Sequence, residues 1–490
     1  MNKDLKKLFD PESAVVIGAS GTPHRPGNDV IRNILANDYR GRLYLVNPKG
    51  GEILGIKVHR SIRELPKGID LAIVLLSAKD NLRAIRECVD QGIGVFVLAA
   101  GGFAEVGEEG EALQRELRKL ITDTSIRVIG PNTSGHISTP SNFTSSFFPL
   151  GKIPRGNISY INQTGNFATH TMRHIMTAEH FGVARVVGLG NKIDLDESDM
   201  LEYLGEDVET KAIVMYLENI KRPKRFMETA RRVTETKPVI LLKGGSTVRG
   251  VNAVGAHTAS LASDDRIIDG ALKQVGVARI SKYAHLVWAA KALDSMPLPH
   301  GNRVSFFAPS GAMLVVSTDL CQNRLGLELP DLEETTQKRL QEISPPYIRM
   351  RNPVDIWPAA SIHGIEYAYR EGMEAVLRDP NIDAVVVTLM LTRDTGTPPL
   401  DFIVDLAERY PEKPVYVSFT GDKDPAEEAK AFLEPKGVPT FPLIEEPLET
   451  LSILVKCRQA LKDGRIVGSP SGRFADVDSS RQARFKLSQN

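Results

Sequence analysis

The chain has 490 residues, more than one ordinary core organises, so about three domains of roughly 100–200 residues are expected. Its 61 Lys and Arg balance its 61 Asp and Glu, which excludes bulk electrostatic attraction to nucleic acid, and its 42 % hydrophobic content is that of a globular protein. No run approaches the roughly 18 apolar residues of a membrane helix, nor is there a signal-peptide-length apolar stretch before the first strand. Cys88, Cys321 and Cys457 lie too far apart to form a metal or disulfide pattern, so the expectation is a soluble cytoplasmic protein with no membrane or nucleic-acid partner.

Short Val/Ile/Leu-rich runs alternate with amphipathic stretches. In the first third the runs are Ala14–Gly18, Leu43–Val46, Leu71–Leu76, Val95–Ala99 and Arg127–Gly130, with Lys79–Gln91 and Glu108–Ile121 reading as crossover helices. Runs that are apolar at both parities suit parallel strands covered on both faces, so the class is α/β with doubly wound parallel sheets. The first strand ends in Gly18, Ala19, Ser20 and Gly21, and a helix follows the turn His24–Gly27; glycines there let backbone approach a phosphate at a helix N-terminus, although a plain strand-to-helix turn fits equally well. At the end of the second strand a dinucleotide site would place Asp or Glu. Here stand Asn47, Pro48 and Lys49, which disfavours NAD and favours a ligand with an extra ribose phosphate, NADP or CoA. The loops Ala99–Glu105 and Gly130–Gly135 follow later strands at the ligand-binding end of such a sheet, or are simple turn chemistry.

A second series, Ile158–Ile161, Ala184–Gly188, Ala212–Leu217 and Val239–Leu242, begins after Pro140–Gly156, which reads as a linker. Its last strand runs into Lys243, Gly244 and Gly245, and the segment after it carries Gly255-Ala256-His257-Thr258-Ala259-Ser260. An imidazole among small residues and hydroxyls can carry a phosphoryl group, with Thr258, Ser260 and backbone N–H groups as donors. On spacing alone, an ordinary polar or capping histidine is the better reading. A ring-orienting carboxylate would strengthen the other, and Glu218, at the end of Ala212–Leu217, is the candidate. A third series, Val304–Ala308, Ala384–Leu389 and Val415–Phe419, follows the break Pro297–Gly301. The loops Asn162–Asn166 and Pro309–Ala312 stand alike after the first strands of the last two series, hinting at related domains. The boundaries expected are 1–145, 150–297 and 300–465, with a flexible tail over 466–490. His170 and His174 lie four apart on a helix but lack the glutamate of a zinc-protease motif, so no metal site is expected, and the basic run Lys221–Arg225 reads as a solvated loop.

Taken in order, Ala14–Ser20, Asn47–Lys49, Gly101–Glu105, Gly130–Asn132, Gly190–Lys192 through Asp196–Asp199, Tyr216–Glu218, Leu242–Gly245, His257–Leu261 and Asn352–Asp355 resemble the CoA-binding α subunit of the ADP-forming acetyl-CoA and acyl-CoA synthetases, in the succinyl-CoA synthetase superfamily. The resemblance runs from about residue 5 to about residue 460 and implies a Rossmann-like CoA-binding domain followed by two flavodoxin-like ligase domains. The implied reaction converts acyl-CoA, ADP and phosphate to carboxylic acid, CoA and ATP, reversibly, through an acyl phosphate and a phosphohistidine on His257 steadied by Glu218.

The same resemblance assigns CoA contacts to Gly18, Ser20, Gly21, Arg25, Asn47, Pro48, Lys49, Gly102, Phe103 and Asn132. It assigns the acyl-phosphate region to Gln163, Thr164, Gly165, Asn166, Gly244, Gly245, Thr258 and Ser260. ADP or ATP and Mg2+ would bind an ATP-grasp β subunit on a separate chain, since that region is read as absent here. The substrate loop departs from the family's Ser-Gln-Ser-Gly-Ala at Asn162, Thr164 and Asn166, Thr133 replaces a cysteine, and Ala259 and Ser263 replace glycines. The acyl group therefore stays unassigned, as does ADP against GDP. The competing readings are a CoA or acyl-CoA sensor on the same scaffold that has lost turnover, and an NADP-linked oxidoreductase. The retained His257 argues against the first, and the missing hydride-site signature against the second.

Overall fold

The computed structural model describes residues 3–247, 249–250, 265–394 and 396–461. The first sheet comprises β1 (Ser13–Ile17), β2 (Arg42–Val46), β3 (Gly51–Ile53), β4 (Ile56–His59), β5 (Leu71–Val74), β6 (Val95–Leu98) and β7 (Arg127–Ile129), in the order β3-β4-β2-β1-β5-β6-β7. All pairs are parallel except the β3–β4 hairpin. β1, β5 and β6 are buried along their whole length, as both-parity apolar runs demand. The hairpin is new relative to the sequence reading: its strands of three and four residues are too short to show alternation.

The second sheet holds β8 (His136–Ser138), β9 (Phe143–Thr144), β10 (Ile158–Asn162), β11 (Arg185–Gly188), β12 (Ala212–Leu217), β13 (Val239–Lys243) and β14 (Ala278–Ile280), ordered β14-β13-β12-β10-β11-β8-β9. The third holds β15 (Val304–Ala308), β16 (Val354–Asp355), β17 (Ala384–Leu391), β18 (Val415–Gly421) and β19 (Thr440–Phe441), ordered β16-β15-β17-β18-β19. Once the hairpin and the antiparallel edge pair β8–β9 are set aside, each sheet has its second parallel strand outside its first and the rest on the other side. That is the flavodoxin-like winding, with its ligand-binding crevice beside the first strand's carboxyl end. The expected class therefore stands: a Rossmann-like domain, then two flavodoxin-like parallel-sheet domains.

Strand pairing crosses the expected boundaries. The expected first domain, 1–145, loses β8 and β9 to the second sheet, so the first sheet ends at Ile129. The stretch 140–156, read as a linker, is packed: Asn33 Nδ2 donates to Ser146 O and Phe148 O, and Asn33 Oδ1 accepts from Leu150 N. Strands of two and three residues with polar members carry no readable period. The chain divides into two compact units, the first carrying the first two sheets and the second the third; Val287 onward, expected within 150–297, falls in the second unit. The proposed tail 466–490 lies outside the described residues.

In the second unit β17 is buried over nearly all of its length. Lys291, itself buried, donates to Glu179, Glu434 and Thr440 O, and beneath this ammonium Glu434 is pushed to about 2: burial alone would raise it, but the charge of Lys291 and the hydrogen bond with His180 overcome that. In the first unit one core cluster runs from the helix Lys3–Phe9 through the first sheet to Ile161, Val187 and Met200 of the second. Arg185 sits at its edge, paired with Asp10 at 2.8 Å and Asp207 at 2.9 Å, its guanidinium 5.2 Å from the Phe9 ring centre.

Backbone joins the two sheets as well. Leu195 N donates to Val128 O (3.2 Å), Ile193 N to Gly130 O (3.1 Å), Asn191 N to Pro131 O (2.8 Å) and Gly188 N to Gly135 O (2.9 Å). The Asp194 carboxylate caps the run, accepting from Val128 N and Arg127 Nε. Such close backbone approach needs glycine. A Cβ on Gly188 would lie 2.4 Å from Ser134 Oγ, and one on Gly190, whose φ is +56°, would lie 2.2 Å from Pro131 O. Among the described residues no helix is long and apolar enough to cross a membrane. Gly190→Ala should lower stability by about 2–4 kcal/mol, measured by urea unfolding followed by circular dichroism, because it adds a clash to an unfavourable φ.

Candidate functional site

Two regions of the first unit gather the residues singled out in the sequence. The first surrounds the end of β1. Gly18 N and Ala19 N donate to Val46 O at 3.1 and 3.2 Å, and Asn47 Nδ2 donates to Ala19 O at 2.8 Å, so the two strand ends are tied together. Asn47 Oδ1 accepts from Lys49 N at 2.9 Å, an Asx turn that leaves Pro48 and Lys49 exposed. The helix Pro26–Ala36 starts behind this loop with Arg25 at its N-cap, and the Arg25 side chain makes no capping bond. Asn28 Nδ2 binds Ser20 O, and a Cβ on Gly27 would lie 2.2 Å from Gly18 O, so backbone and helix start are in direct contact. Gly18, Ser20, Gly21, Arg25, Asn47, Pro48 and Lys49 thus form one rim at the end of the sheet. Exposed cations and the positive end of an eleven-residue helix suit an anionic ligand there.

The second region is a cleft of about 660 Å³ over the carboxyl ends of both sheets. From the first sheet's loops come Ala104, Glu105, Asn132, Thr133 and Ser134; from the second's come Gln163, Thr164, Gly165, Gly190, Asn191, Lys192, Glu218 and Asn219. The loop after β6 is built around the Glu105 carboxylate. Its Oε1 accepts from Gly102 N at 2.6 Å and Phe103 N at 3.2 Å, and its Oε2 accepts from Asn191 Nδ2 at 2.6 Å. Burial raises this carboxyl, but hydrogen bonds from its own N–H, Asn191, Phe103 and Gly102 outweigh burial and hold it below the ordinary carboxylate range.

On the opposite side Gln163 Oε1 accepts from Glu218 N (3.0 Å), Asn219 N (3.2 Å) and Lys192 Nζ (3.1 Å). Asn166 Nδ2 donates to Tyr283 OH, which also meets Thr171 Oγ1 at 2.7 Å. Glu218 stands at the end of β12 beside β13. Lys243 Nζ donates to Glu218 O at 2.6 Å, and a Cβ on Gly244 would lie 3.0 Å from Tyr216 OH and 3.7 Å from Glu218 Cγ. Burial, then the Glu218 charge, pushes the Tyr216 phenol up to about 12, while burial and then the Arg279 charge lower the Lys243 ammonium. Gly245, with φ +68°, turns the chain away from β13. His257, Thr258 and Ser260 lie outside the described residues.

The structure brings together Asn132, Gln163, Thr164, Gly165 and Glu218 in one cleft. Phe103, expected to touch ligand, has its side chain fully buried in the core of the first sheet, and its N–H is held by Glu105. Sequence reasoning gave no role to Glu105, Asn191, Lys192, Asn219, Tyr216 or Tyr283. Each has at least one partner remote in sequence (Asn191 and Glu105 are separated by 86 residues), which local spacing does not mark. His170 and His174 are exposed, as read, and among the described residues no group of three His, Cys, Asp or Glu could hold a metal ion.

Three family models match in series: a CoA binding domain over residues 12–138, a succinyl-CoA ligase like flavodoxin domain over 155–293 and a ligase-CoA domain over 304–464. The chain is 34 % identical over 457 residues to the subunit alpha of ADP-forming acetate–CoA ligase II from Pyrococcus furiosus, covering 92 % of this chain and 97 % of that one. It is 34 % identical over 457 residues to the ADP-forming acetate–CoA ligase II of Archaeoglobus fulgidus, covering 92 % of this chain and 67 % of the relative. Among solved structures, it is similar to the Ca. Korarchaeum cryptofilum dinucleotide forming acetyl-coenzyme A synthetase 1 in complex with phosphate and ADP: TM-score 0.85, 30 % identity, 94 % of this chain and 98 % of that one.

Glu105→Gln should speed amide exchange in the segment 99–107 by about tenfold at pH 7, read by hydrogen-exchange mass spectrometry, since bonds to a charged acceptor are lost. A carboxyl held below its ordinary range stabilises fully above that range and loses this as pH falls through its lowered value. The difference between variant and wild type should therefore vanish on acidification.

Proposed function

We propose a function from the premise that the chain belongs to the ADP-forming acetate–CoA ligase family, matching the alpha subunits over nearly their whole length. It is an acid–thiol ligase of the ADP-forming type, and its first domain is a CoA-binding domain. The observation that carries the residue assignments is the shared cleft, which sets Asn132 of the CoA-binding domain opposite Gln163–Gly165 and Glu218 of the ligase domain. A thiol delivered from the first sheet and a phosphate held at the second would meet there.

CoA supplies the thiol. Gly18, Ser20, Gly21 and the helix start at Arg25 would hold its phosphates, with Asn47, Pro48 and Lys49 beside the ribose phosphate. The crowded contact of Gly27 with Gly18 O supports this fit, since it sets the positive end of the helix against the loop. Gly102 and Asn132 would line the path to the cleft. In the acid-forming direction, a phosphate oxygen attacks the thioester carbon, the C–S bond breaks and CoA leaves as thiolate, giving an acyl phosphate near Gln163, Thr164, Gly165 and Asn166. The His257 ring nitrogen then attacks phosphorus, the bond to the acyl oxygen breaks, and the carboxylate departs. Glu218, beside Gly244 at the strand end from which the histidine segment departs, would accept from the other ring nitrogen and favour the charged phosphohistidine. Gly244, Gly245, Thr258 and Ser260 would surround the phosphoryl group.

The phosphoryl group passes next to ADP on an ATP-grasp β subunit, which would also hold Mg2+. Relatives named as subunits alpha support a separate partner. A cytoplasmic location is part of the same reading, and the free, buried cysteines suit a reducing compartment. The acid stays unassigned, because polar Asn162, Thr164 and Asn166 depart from the family's small substrate loop. The sensor reading is not favoured, since the relatives are ligases.

Incubating the chain and its β subunit with γ-labelled ATP should place acid-labile, base-stable phosphate on this chain. His257→Ala should abolish the label, and Glu218→Gln should cut it by about tenfold or more. Label persisting in the His257 variant would overturn the carrier assignment. Absence of label in wild type, with tight CoA binding, would favour the sensor.

A further inference from the structure

Lys192 is a lysine with almost no exposure, 3 %, on the wall of the cleft. Its ammonium carries three protons and meets four acceptors: Gln163 Oε1 (3.1 Å), Glu197 Oε2 (2.9 Å), Asn219 O (2.9 Å) and Asn219 Oδ1 (2.7 Å). The Glu197 carboxylate is fully buried, and its other oxygen accepts from Lys221 N at 2.6 Å. Two consequences follow. The ammonium is saturated, so it is not a contact for a substrate phosphate despite its place on the wall. Its charge also falls on one end of an amide: with the Glu218 and Asn219 N–H groups it gives Gln163 Oε1 three donors and fixes which end of that side chain is oxygen. The amide nitrogen, Nε2, makes no hydrogen bond among the described residues and is not buried, and Gln163 lines the cleft.

We propose that Lys192 is a positioning residue for the ligase reaction: paired with buried Glu197, it locks the Gln163 amide with its N–H donors toward the acyl centre, where negative charge develops on the carbonyl oxygen as the tetrahedral intermediate forms. A flipped amide would present oxygen to that charge and repel it. A positive charge on the far side of the amide also polarises it and strengthens the donor end. The device needs a dry, paired lysine rather than a mobile one, which accounts for burying an ion pair beside a polar cleft. This inference rests on the proposed phosphohistidine pathway and adds to it the element that orients a donor at the acyl step.

The test separates loading of the histidine from the acyl step, using this chain in complex with its β subunit. Phosphohistidine is formed from γ-labelled ATP, acid and CoA are added together, and acyl-CoA formed in the single turnover is followed per loaded histidine. Lys192→Met with Glu197→Met removes both members of the pair, so no buried charge is left alone. Gln163→Glu keeps the accepting oxygen and replaces the donor. The paired variant should load within about twofold of wild type yet form acyl-CoA about tenfold more slowly, and Gln163→Glu should form it about a hundredfold more slowly. Acyl-CoA formation at the wild-type rate in both overturns the proposal, as does loading and acyl-CoA formation falling together in the paired variant, which marks a purely structural role. If the paired variant does not fold, acyl-CoA formation at the wild-type rate in Gln163→Glu overturns it alone. No label in wild type would instead sink the phosphohistidine pathway itself.

Discussion

The structure of the first unit turns on a backbone interlock between two loops that face each other across the sheets. Backbone N–H groups of the segment 188–195 donate to carbonyls of the segment 128–135 at four places, and the Asp194 carboxylate closes the run on Arg127. Backbones can approach this closely only where side chains are missing, so Gly188 and Gly190 are steric requirements rather than loop filler. Because the interlock binds the ends of β7 and β11, it sets the carboxyl edges of two sheets over one space. Each sheet has its own crevice by the winding rule, and the interlock fuses two crevices into one cleft.

That geometry matches a chemistry with two substrates arriving from different domains. A thioester must be reached by phosphate from one side while its thiol is held from the other. The cleft walls are stabilised by groups that are satisfied internally: Glu105 by backbone and Asn191, Gln163 Oε1 by three donors, Lys192 by four acceptors. Such groups are costly to move, because each would leave a buried charge or amide unpaired. They present a rigid frame.

Electrostatics divides the labour further. Lys192 and Lys221 both belong to the cleft, yet Lys221 Nζ donates to the Lys192 and Ile193 carbonyls. Burial lowers the Lys221 ammonium, with the Asp196 charge opposing, and its neighbours Arg118, Arg222 and Lys192 push the same way as burial. These two ammonium groups are therefore tied to protein acceptors, whereas Arg118 lines the same cleft exposed. A reversible transfer needs the transition state, rather than the ground-state phosphate, to be held best.

The sequence by itself determined the class, the three parallel sheets, the positions of the strand-end loops, and the absence of an NAD-type carboxylate after the second strand. These are local properties: an apolar run at both parities makes a covered parallel strand wherever it lies, and glycine at a strand end makes a turn. It placed Glu218 at a strand end and His257 in a small-residue segment, and through resemblance it joined them. Only the tertiary structure decided which loops share a space. The short strands β8 and β9 changed sheets, Phe103 turned inward to the core, and Glu105 and Lys192 gained roles from partners as far as 86 and 29 residues away. Strand periodicity acts over a few residues and can be read along the chain, whereas a saturated ammonium or an oriented amide depends on atoms from several chain segments, and these become neighbours only when two sheets close on each other.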